Sequence, residues 1–530
     1  MNSQQFCRKC PFGFGCPWWN DSTFPGFPTF PVVGKAHFEI FGGLIPEHRR
    51  KAFVNQDLDP YLQRLYLQYG AAPPVEATLT NHCGGNDVAP ARYARIAAKG
   101  WRDWVLQDSL PIRTYLMETS SRIAKIDLVD VVVPSYRVDV QFLQRICSLK
   151  VPSSMRTTFI IVVDNPSQLI AVASKLGGSM DSPASSSPNA AALLLEKHLV
   201  QHSAMSLGGL KGNSIRVRCN ASNLGASASR NRGLDESSAE YVLFLDDDVV
   251  PEPDLLEEYG KQLDCDPSMV GLVGLVRFPR SPSLPLKHAA ILMSYLVFMF
   301  EIAENPLYRR PVWGVTASLL VKRTRVRFDI AYAKTGGGED VDFCLRLTEE
   351  TKGCFVACPS AVVTHPFWRG SIIQLGMHFF NWAIGDSALF TRFPIHTYRS
   401  WPNAVEFFLL LLLIQLGSGQ SLVTWLTAPL FVAVDVLVEA SQGSNLRHRF
   451  FLLKYPRSRW FRVRALILAD LYVLVLETGR LWGHCKRGEF WHCGRRFDWH
   501  CGRLEHARVN FQRRERTKFI LFCTIVLLLV

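Results

Sequence analysis

Short acidic motifs that follow apolar runs constrain this chain more than any other feature. Asp164 follows the run Phe-Ile-Ile-Val-Val, and an Asp-Asp-Asp motif (246–248) follows Tyr-Val-Leu-Phe-Leu. A Glu-Asp pair (339–340) comes after three glycines and opens a helical pattern. Apolar runs that end in polar side chains are typical of strands in an open α/β sheet, whose ligands bind just beyond the strand carboxyl ends. The sequence therefore predicts an α/β domain with a site for a nucleoside diphosphate, a divalent cation and a catalytic base.

The composition changes along the chain from a mixed part to an apolar and basic part. Of 530 residues, 48% are hydrophobic, and the mean hydropathy is +0.07, which is high for an ordinary soluble enzyme. The apolar excess follows about residue 403, and much of the net charge of +13 lies in 441–518. A basic run beside apolar segments typically faces anionic lipid. No recognition helix or RNA-binding signature is present, so we expect membrane lipid and no nucleic acid as a partner.

Length and composition predict three regions. Residues 1–120 form a partly disordered N-terminal region, 121–395 an α/β domain, and 396–530 transmembrane or interfacial helices with basic loops. A helix is expected within 91–124. The N-terminus lacks the pattern of a signal peptide, so we expect the fourteen cysteines to be mostly free thiols in a reducing compartment.

Three cysteines near the N-terminus leave two interpretations open. Cys7, Cys10 and Cys16 lie close together, and a Cys-x-x-Cys pair suggests zinc. A complete second pair of ligands is missing. The alternative is a loosely ordered arm.

Strand and helix patterns alternate from about residue 126 onward. Strands are predicted at 128–133, 158–163, 215–218 and 241–245, and helices at about 138–148, at 189–202 within a Ser/Ala/Gly-rich insertion (179–213), and from 227. This alternation predicts an α/β sheet with parallel character. No Gly-x-Gly-x-x-Gly follows the first strand, which argues against an NAD site.

Four apolar segments follow residue 403, at 404–416, 422–440, 464–478 and 519–530. Because a bilayer crossing needs about 20 apolar residues, 422–440 is the best candidate for a span, and the others are short or interrupted. Basic loops on both sides of 464–478 leave the topology open. The sequence predicts an integral membrane protein with an undetermined number of spans.

The aspartates at 246–248 suit donor binding. One carboxylate can contact a ribose hydroxyl while another binds a hard cation that neutralises a diphosphate. An acidic surface turn is the alternative. Asp164 suits a base or ribose contact, or a turn after a strand. Arg230 and Asn231, at a helix start, can meet a phosphate or simply face solvent.

Glu339 and Asp340 are the candidates for general-base catalysis. A sugar hydroxyl is a weak nucleophile, so a nearby carboxylate must take its proton. Acidic residues at a helix N-terminus are also favoured by the helix dipole, and both interpretations can hold together. His365 follows another β-like run, where its imidazole can complete the shell of a cation or serve a structural role.

The order of the motifs resembles family 2 glycosyltransferases with a GT-A fold. The matching stretches, within about 126–395, are Val-Pro-Ser-Tyr (133–136), Val-Val-Asp (162–164), a loose match to Asn-x-x-Ala-Ser-Arg-Asn-x-Gly across 223–233, Phe-Leu-Asp-Asp-Asp (244–248), Gly-Glu-Asp-Val-Asp-Phe-x-x-Arg (338–346) and Val-Thr-His (363–365). The resemblance implies an inverting transfer from a nucleoside-diphosphate sugar, such as a UDP- or GDP-sugar, with Mg²⁺ or Mn²⁺. The acceptor is expected to be a glycan or a lipid-linked molecule.

The resemblance also implies roles for individual residues. Asp340 is the general base with Glu339 beside it, and Asp248, Asp246 and His365 are metal ligands. The acceptor side is assigned to Trp382 and Gly314. The donor-binding residues are Pro134, Tyr136, Asp164, Arg230, Asn231, Asp246 and Asp247.

Membrane-bound polysaccharide synthases of the family carry a Gln-x-x-Arg-Trp motif on an interfacial helix. Here Trp382 is kept, whereas His378 and Asn381 replace the Gln and Arg. Losing the Arg removes a fixed charge near the diphosphate, which disfavours a processive, cellulose- or chitin-synthase-like activity. The topology of the family would place the catalytic domain in the cytosol, at a membrane that the sequence does not identify.

Two further interpretations stay open. The first is a processive polysaccharide synthase, and the second is a catalytically silent membrane scaffold that only binds the nucleotide sugar. Outside the resemblance, a Trp-His-Cys motif recurs near 482–485, 491–493 and 499–501. Metal binding is one interpretation, and a basic, aromatic segment lying on the membrane is the favoured one.

Overall fold

The computed structural model of the chain divides into two compact units. One comprises residues 1–125 and 263–267, and the other comprises residues 126–262 and 268–530. The structure describes residues 14–21, 28–29, 32–46, 49, 58–67, 72, 74–79, 101–122, 127–176, 187–203, 213–263, 266, 268–281, 283–294, 296–305, 308–332, 334, 336–400, 404–418, 422–442, 458–502 and 505–529.

The first unit contains a small sheet and several helices. Strand β1 (Trp18–Asp21) lies between β2 (Pro28–Thr29) and β3 (Pro74–Leu79), antiparallel to β2 and parallel to β3. The described helices of this unit are Lys35–Phe41, Leu58–Leu67 and Trp101–Arg122. The last of these confirms the described part of the helix predicted at 91–124.

Cys16 belongs to the apolar core of the first unit. It is fully buried with Tyr61, Leu65 and Tyr66, so its thiol packs as a small hydrophobic group. Cys7 and Cys10 lie outside the described residues. The environment of Cys16 therefore gives no support to a zinc-binding role.

The second unit holds the main sheet and a separate two-stranded sheet. The strands of the main sheet are β4 (Asp127–Ser135), β5 (Met155–Arg156), β6 (Thr158–Val163), β7 (Ser214–Cys219), β8 (Tyr241–Leu245), β9 (Val250–Pro251), β10 (Met269–Arg277), β11 (Ser318–Lys322) and β12 (Cys354–Thr364). The two-stranded sheet consists of β13 (Thr397–Arg399) and β14 (Arg495–Phe497). The described helices of the second unit are Val140–Cys147, Pro166–Lys175, Pro188–Ser203, Ala226–Glu236, Leu255–Gly260, Leu286–Met293, Leu296–Phe300, Glu339–Thr351, Ile372–Asp386, Leu389–Arg392, Ala404–Ser418, Leu422–Gln442, Arg459–Arg487 and Glu505–Leu529, with 3₁₀ turns at Ile302–Glu304, Pro394–His396 and Phe490–His492. These bounds confirm the predicted strands, the helices expected near 138–148 and 189–202, and the helices that begin near 227 and at Glu339.

The main sheet is mixed, with the strand order β7-β6-β4-β8-β11-β10-β12-β9 and β5 paired with β4. Strands β4, β6, β7 and β8 are parallel, whereas β11 is antiparallel to both of its neighbours. Because β11 is reversed, its first residue, Ser318, pairs with the last residue of β8, Leu245. One edge of the sheet therefore gathers the segments that follow β4, β6 and β8 and the segment that precedes β11.

Helix Ala226–Glu236 lies unusually close to β4 because of Gly233. A Cβ atom at this position would come within 2.2 Å of Val132 Cγ1. Only glycine permits this approach. The contact fixes the helix over the sheet and so sets the position of Arg230.

The long helix Arg459–Arg487 packs directly on helix Ile372–Asp386. Cβ atoms at Gly479 and Gly483 would lie 2.3 Å from the Phe380 carbonyl oxygen and 2.1 Å from Ser387 Oγ. Two glycines one helical turn apart thus let the backbones meet. The regions that the sequence separates at residue 395 consequently belong to one compact unit.

Helices Ala404–Ser418, Leu422–Gln442 and Glu505–Leu529 cover apolar segments that the sequence assigns to a membrane. Phe431, from the second of them, and Phe522, from the third, share an apolar cluster. Among the residues that the structure describes, no helix is both long enough and apolar enough to cross a bilayer. The predicted transmembrane helices, including the span at 422–440, therefore lack structural support.

Candidate active site

A cavity of about 1060 Å³ lies at the sheet edge where β4, β6 and β8 end. It collects most of the residues that the sequence singles out, namely Pro134, Tyr136, Asp164, Arg230, Asp246, Asp247, Asp248, Glu339, Asp340, His365 and Trp382. The parallel strands explain this, because their carboxyl ends meet at one edge.

Two residues assigned to the site are used elsewhere. The Asn231 amide donates to the Phe328 carbonyl at 2.8 Å and accepts from the Phe328 N–H at 2.7 Å. One position along the helix turns a side chain by about 100°, so Arg230 faces the cavity and Asn231 does not. Gly314 lies against Val273, where a Cβ atom would come within 2.6 Å. It is Thr316, rather than Gly314, that lines the cavity.

Asp164 holds the turn that precedes helix Ala226–Glu236. Its oxygens accept from the backbone N–H groups of Leu224 at 2.9 Å and Gly225 at 2.7 Å, and from Asn220 Nδ2 at 2.8 Å. The side chain is only 4% exposed. In this structure Asp164 therefore shapes the donor side of the cavity through the turn.

Arg230 joins the two acidic motifs. Its guanidinium lies 3.0 Å from Asp246 Oδ1, 3.2 Å from Glu339 Oε1 and 3.8 Å from Asp340 Oδ1. Burial alone would lower the pKa of Arg230, but Asp246, Asp340 and Glu339 together raise it above its usual value. A permanent positive charge therefore sits between acids that would otherwise repel one another.

Asp247 and Asp248 have different surroundings. Asp247 accepts from Ser135 Oγ at 2.9 Å and from the Arg137 N–H at 3.3 Å, and burial raises its pKa even though Arg137 opposes this. Asp248 Oδ2 lies 2.5 Å from Arg137 Nη1, and its Oδ1 lies 3.6 Å from His365 Nε2. Asp247 is thus buried and held by hydrogen bonds from the end of β4 and the segment that follows it. Asp248 instead faces Arg137 and His365, which are far from it in sequence.

Asp340 has the surroundings of a general base. Thr316 holds it with two hydrogen bonds of 3.0 Å, one from its N–H to Oδ2 and one from its hydroxyl to Oδ1. Burial and the neighbouring Glu339 raise the pKa of Asp340 to about 7, against the opposing effect of Arg230. A carboxylate with this pKa can accept a proton near neutral pH. Thr316 reaches it because β11 is antiparallel.

A third carboxyl group, which the sequence did not single out, lies beside this pair. Burial raises the pKa of Asp386 well above its usual value, and Glu339 and Asp340 raise it further. Asp386 ends the helix that carries Trp382, one turn later. That i, i+4 spacing is the signal that could have identified it.

Aromatic rings wall the cavity opposite the acids. Trp382 lies 5.2 Å from Trp368 and 4.4 Å from His378, measured between ring centroids. Burial lowers the pKa of His378 to about 4, and Arg137 and His365 add to this effect. The His378 side chain is therefore a neutral imidazole near neutral pH.

The cavity continues between the C-terminal helices. Arg480 and Arg496 line this part together with Trp499 and Phe511. Arg480 bonds Glu406 at 2.8 Å, and Arg496 lies 3.1 Å from Glu477. Arg480 Nη1 and Arg496 Nε nevertheless find no hydrogen-bond partner among the described residues. The wall is polar, aromatic and balanced in charge.

Two histidines of the Trp-His-Cys repeat, His484 and His492, lie in a buried polar cluster. His484 Nδ1 is 3.3 Å from Glu489 Oε2, and the Thr391 hydroxyl lies 2.8 Å from Glu489 Oε1 and 3.0 Å from His492 Nε2. Burial lowers the pKa of His484 to about 4. The exposed members of the repeat include two tryptophans, with Trp482 at 50% and Trp491 at 66%.

The side chains that suit a divalent cation are Asp248 and His365. Their facing oxygen and nitrogen atoms, 3.6 Å apart, are close enough to bind one ion between them. Asp246, the third predicted ligand, accepts from Arg230 instead. Across the described part of the chain, no group of three or more His, Cys, Asp or Glu side chains is arranged to hold a metal. A cation here would therefore need further oxygen ligands from a bound diphosphate and water.

One family model matches the part of the chain that holds two of the predicted motifs. Residues 198–310, which include Arg230 and the three aspartates, match the family model "Glycosyl transferase family 2". No curated protein gives a significant match. TarS (1–349) from S. aureus is 13% identical with a TM-score of 0.27, and the match covers 48% of this chain and 64% of that one. The mannosyltransferase PcManGT from Pyrobaculum calidifontis, solved with GDP-Man and Mn²⁺, is 13% identical with a TM-score of 0.35, covering 70% and 96%. The mixed α/β unit of the chain thus contains a segment, residues 198–310, that is similar to glycosyltransferase family 2.

Proposed function

We propose that this protein is an inverting glycosyltransferase, which transfers a sugar from a nucleoside-diphosphate sugar to a hydroxyl group of a glycan or lipid-linked acceptor. The position of Arg230 carries the proposal. It joins Asp246 to Glu339 and Asp340 inside one cavity. The acids on the donor side and the candidate base therefore face the same cavity.

Asp340 acts as the general base. It takes the proton of the acceptor hydroxyl as that oxygen attacks the anomeric carbon, and the bond from that carbon to the diphosphate breaks with its electron pair. Thr316 orients the carboxylate through two hydrogen bonds. Burial and the like charge of Glu339 keep the pKa of Asp340 near neutrality, because both disfavour its ionisation.

Asp248 and His365 would hold Mg²⁺ or Mn²⁺, with further oxygen ligands from the donor. The cation would offset the charge that builds up on the leaving diphosphate. Pro134, Tyr136 and the turn held by Asp164 form the nucleotide side of the cavity. Trp382 offers a ring face on which an acceptor sugar can stack.

A processive polysaccharide synthase is the second candidate. The part of the cavity between the C-terminal helices favours it, because Arg480, Arg496, Trp499 and Phe511 extend a polar and aromatic wall beyond the catalytic pair. The altered His-x-x-Asn-Trp segment argues against it. Product length distinguishes the two.

We also propose that the protein associates with a membrane through its C-terminal region, with the catalytic domain on the cytosolic side. Exposed Trp460, Trp482 and Trp491 lie among basic residues, and both kinds of side chain suit a headgroup region. Binding to anionic vesicles, measured by flotation, tests this proposal. Equal recovery with neutral and anionic vesicles would remove its electrostatic basis.

The test of the enzymatic proposal is sugar transfer by the detergent-purified full chain. A panel of UDP- and GDP-sugars is assayed with Mn²⁺ and with EDTA. Cation-dependent turnover of one donor is the expected result, and a single product size would exclude processivity. Donor binding without turnover, even when a series of glycan and lipid-linked acceptors is offered, would favour a catalytically silent scaffold. If no donor binds, the assignment of the acidic motifs is wrong.

A further inference from the structure

Arg137 sits on the acids that should receive the cation. It follows β4 by two residues, and its Nη1 lies 2.5 Å from Asp248 Oδ2 and 3.6 Å from Asp247 Oδ1. Its backbone N–H also donates to Asp247 Oδ2 at 3.3 Å. Family motifs and sequence spacing assign no role to this residue.

The two arginines of the site differ in how freely they can move. The Arg230 side chain is 5% exposed and is held by three acids. The Arg137 side chain is 57% exposed, whereas its partner Asp248 is 14% exposed. Asp248 is therefore fixed, and the Arg137 guanidinium is the member of the pair that can leave.

A bound cation and Arg137 compete for the same carboxylate. The two oxygens of Asp248 face different partners, since Oδ1 points to His365 and Oδ2 to Arg137. A divalent ion held by Asp248 and His365 would put two positive charges next to the guanidinium, and their repulsion in a partly buried site is strong. A diphosphate in the same cavity offers the displaced guanidinium two oxygens in the geometry that arginine binds best.

We propose that Arg137 neutralises Asp248 in the empty site, is displaced when the cation binds, and then binds the donor diphosphate. The inference rests on the proposed function, because it needs a diphosphate in this cavity. It makes binding of the cation and of the nucleotide mutually reinforcing, since each removes an obstacle to the other.

The experiment measures Mn²⁺ binding from the EPR signal of free Mn²⁺, and UDP and GDP binding by calorimetry, on the full chain. Variants Arg137→Ala and Arg137→Lys are compared with Arg145→Ala, an exposed arginine on the next helix that does not line the cavity. Arg137→Ala should bind Mn²⁺ alone about tenfold more tightly and the nucleotide with Mn²⁺ about tenfold more weakly, within the usual range of such coupling. Arg137→Lys should bind Mn²⁺ as wild type does and bind the nucleotide with intermediate affinity. Lysine keeps the positive charge but lacks the paired N–H donors of the guanidinium. Arg145→Ala should match wild type.

The outcomes separate this inference from the proposed function. If wild type binds neither UDP nor GDP in the presence of Mn²⁺, both the proposed function and this inference are overturned. If wild type binds one of them and Arg137→Ala matches it in both affinities, only the inference is overturned. Tighter Mn²⁺ binding with unchanged nucleotide affinity also overturns it, because Arg137 would then compete with the cation without binding the donor.

Discussion

At the scale of single residues, the site is organised by countercharges. Four carboxylates, those of Asp246, Asp248, Glu339 and Asp340, lie near two guanidinium groups. Burying acids without partners is costly, so their arginines are part of the folded structure as well as of the site. Burial and the neighbouring Glu339 set the pKa of Asp340 near neutrality, against the opposing effect of Arg230.

Replacing Asp340 by Asn should abolish general-base catalysis and little else. We expect transfer to fall about 10²–10⁴-fold, with unchanged melting temperature and donor affinity. Single-turnover transfer and calorimetry measure these quantities. Asp254→Asn, which alters an exposed carboxylate outside the cavity, should transfer at the wild-type rate. A wild-type rate for Asp340→Asn would show that another group takes the proton.

The rate of transfer should depend on pH through Asp340. Burial and Glu339 raise the pKa of this carboxyl group to about 7, and only its ionised form can accept a proton. Below that pH, kcat/KM should therefore fall about tenfold per unit. The residual activity of Asp340→Asn should lack this acidic limb. A limb that persists in the variant would assign it to a different group.

Replacing Arg230 by Met should destabilise the protein strongly. The change keeps most of the side-chain volume but leaves Asp246 and Glu339 without their buried countercharge. We expect the free energy of unfolding to fall by about 3–5 kcal/mol, measured by urea denaturation. Lys261→Met, which breaks exposed ion pairs with Glu257 and Glu258, should cost less than about 1 kcal/mol. Equal losses would mean that Arg230 contributes no more than a surface pair.

At the scale of elements, the glycine loop before helix Glu339–Thr351 sets the distance between base and acceptor wall. Gly336, Gly337 and Gly338 all have positive φ, and a Cβ atom at Gly337 would lie 2.2 Å from the Trp382 carbonyl oxygen. The loop therefore packs on the backbone of helix Ile372–Asp386. This contact fixes Asp340 relative to Trp382.

Gly337→Ala should separate the loop from that helix. Its φ of +107° and the close carbonyl oxygen both oppose a side chain, and we expect a loss of roughly 1–3 kcal/mol in stability together with slower transfer. Gly488→Ala is the matched control, since it has a φ of +69° with no atom within 4 Å of its Cβ. It should lose about 1–2 kcal/mol and keep its transfer rate. If both variants transfer equally well, the loop does not set the geometry of the site.

At the scale of the whole molecule, the sheet and the C-terminal helices belong to the same compact unit. Helix Ile372–Asp386 buries Leu375 and Phe379, and Phe379 meets Tyr472 of helix Arg459–Arg487 with ring centroids 5.1 Å apart. The cavity is walled by both regions. The C-terminal region is thus needed to complete the site.

A fragment of residues 126–395 should therefore aggregate, whereas 126–530 in detergent should not. Removing the C-terminal helices would expose Leu375 and Phe379, each worth about 1.5–3 kcal/mol of burial, as a continuous apolar face. Size-exclusion chromatography with light scattering compares the two fragments. A monodisperse, folded 126–395 would show that the sheet domain stands alone.

Local sequence patterns predicted the strands, and they placed some of the side chains at the site but not all of them. The runs at 158–163 and 241–245 were predicted correctly as strands, because continuous apolar, β-branched runs are a local property. Asp164 and Asp248 were correctly expected near one edge, because carboxyl ends of parallel strands converge. Asn231 was misplaced because a shift of one residue on a helix changes its face.

Local patterns in the residues were enough to place the strands, the acids that follow them and the order of the motifs that resemble glycosyltransferase family 2. Which charges meet depends on the folded chain. Arg137 and Asp248 are 111 positions apart, and Arg230 and Glu339 are 109 apart. The reversal of β11, which brings Thr316 to Asp340, is equally invisible in the local pattern. Such contacts depend on strand order and direction in the folded sheet, and local spacing carries no information about either.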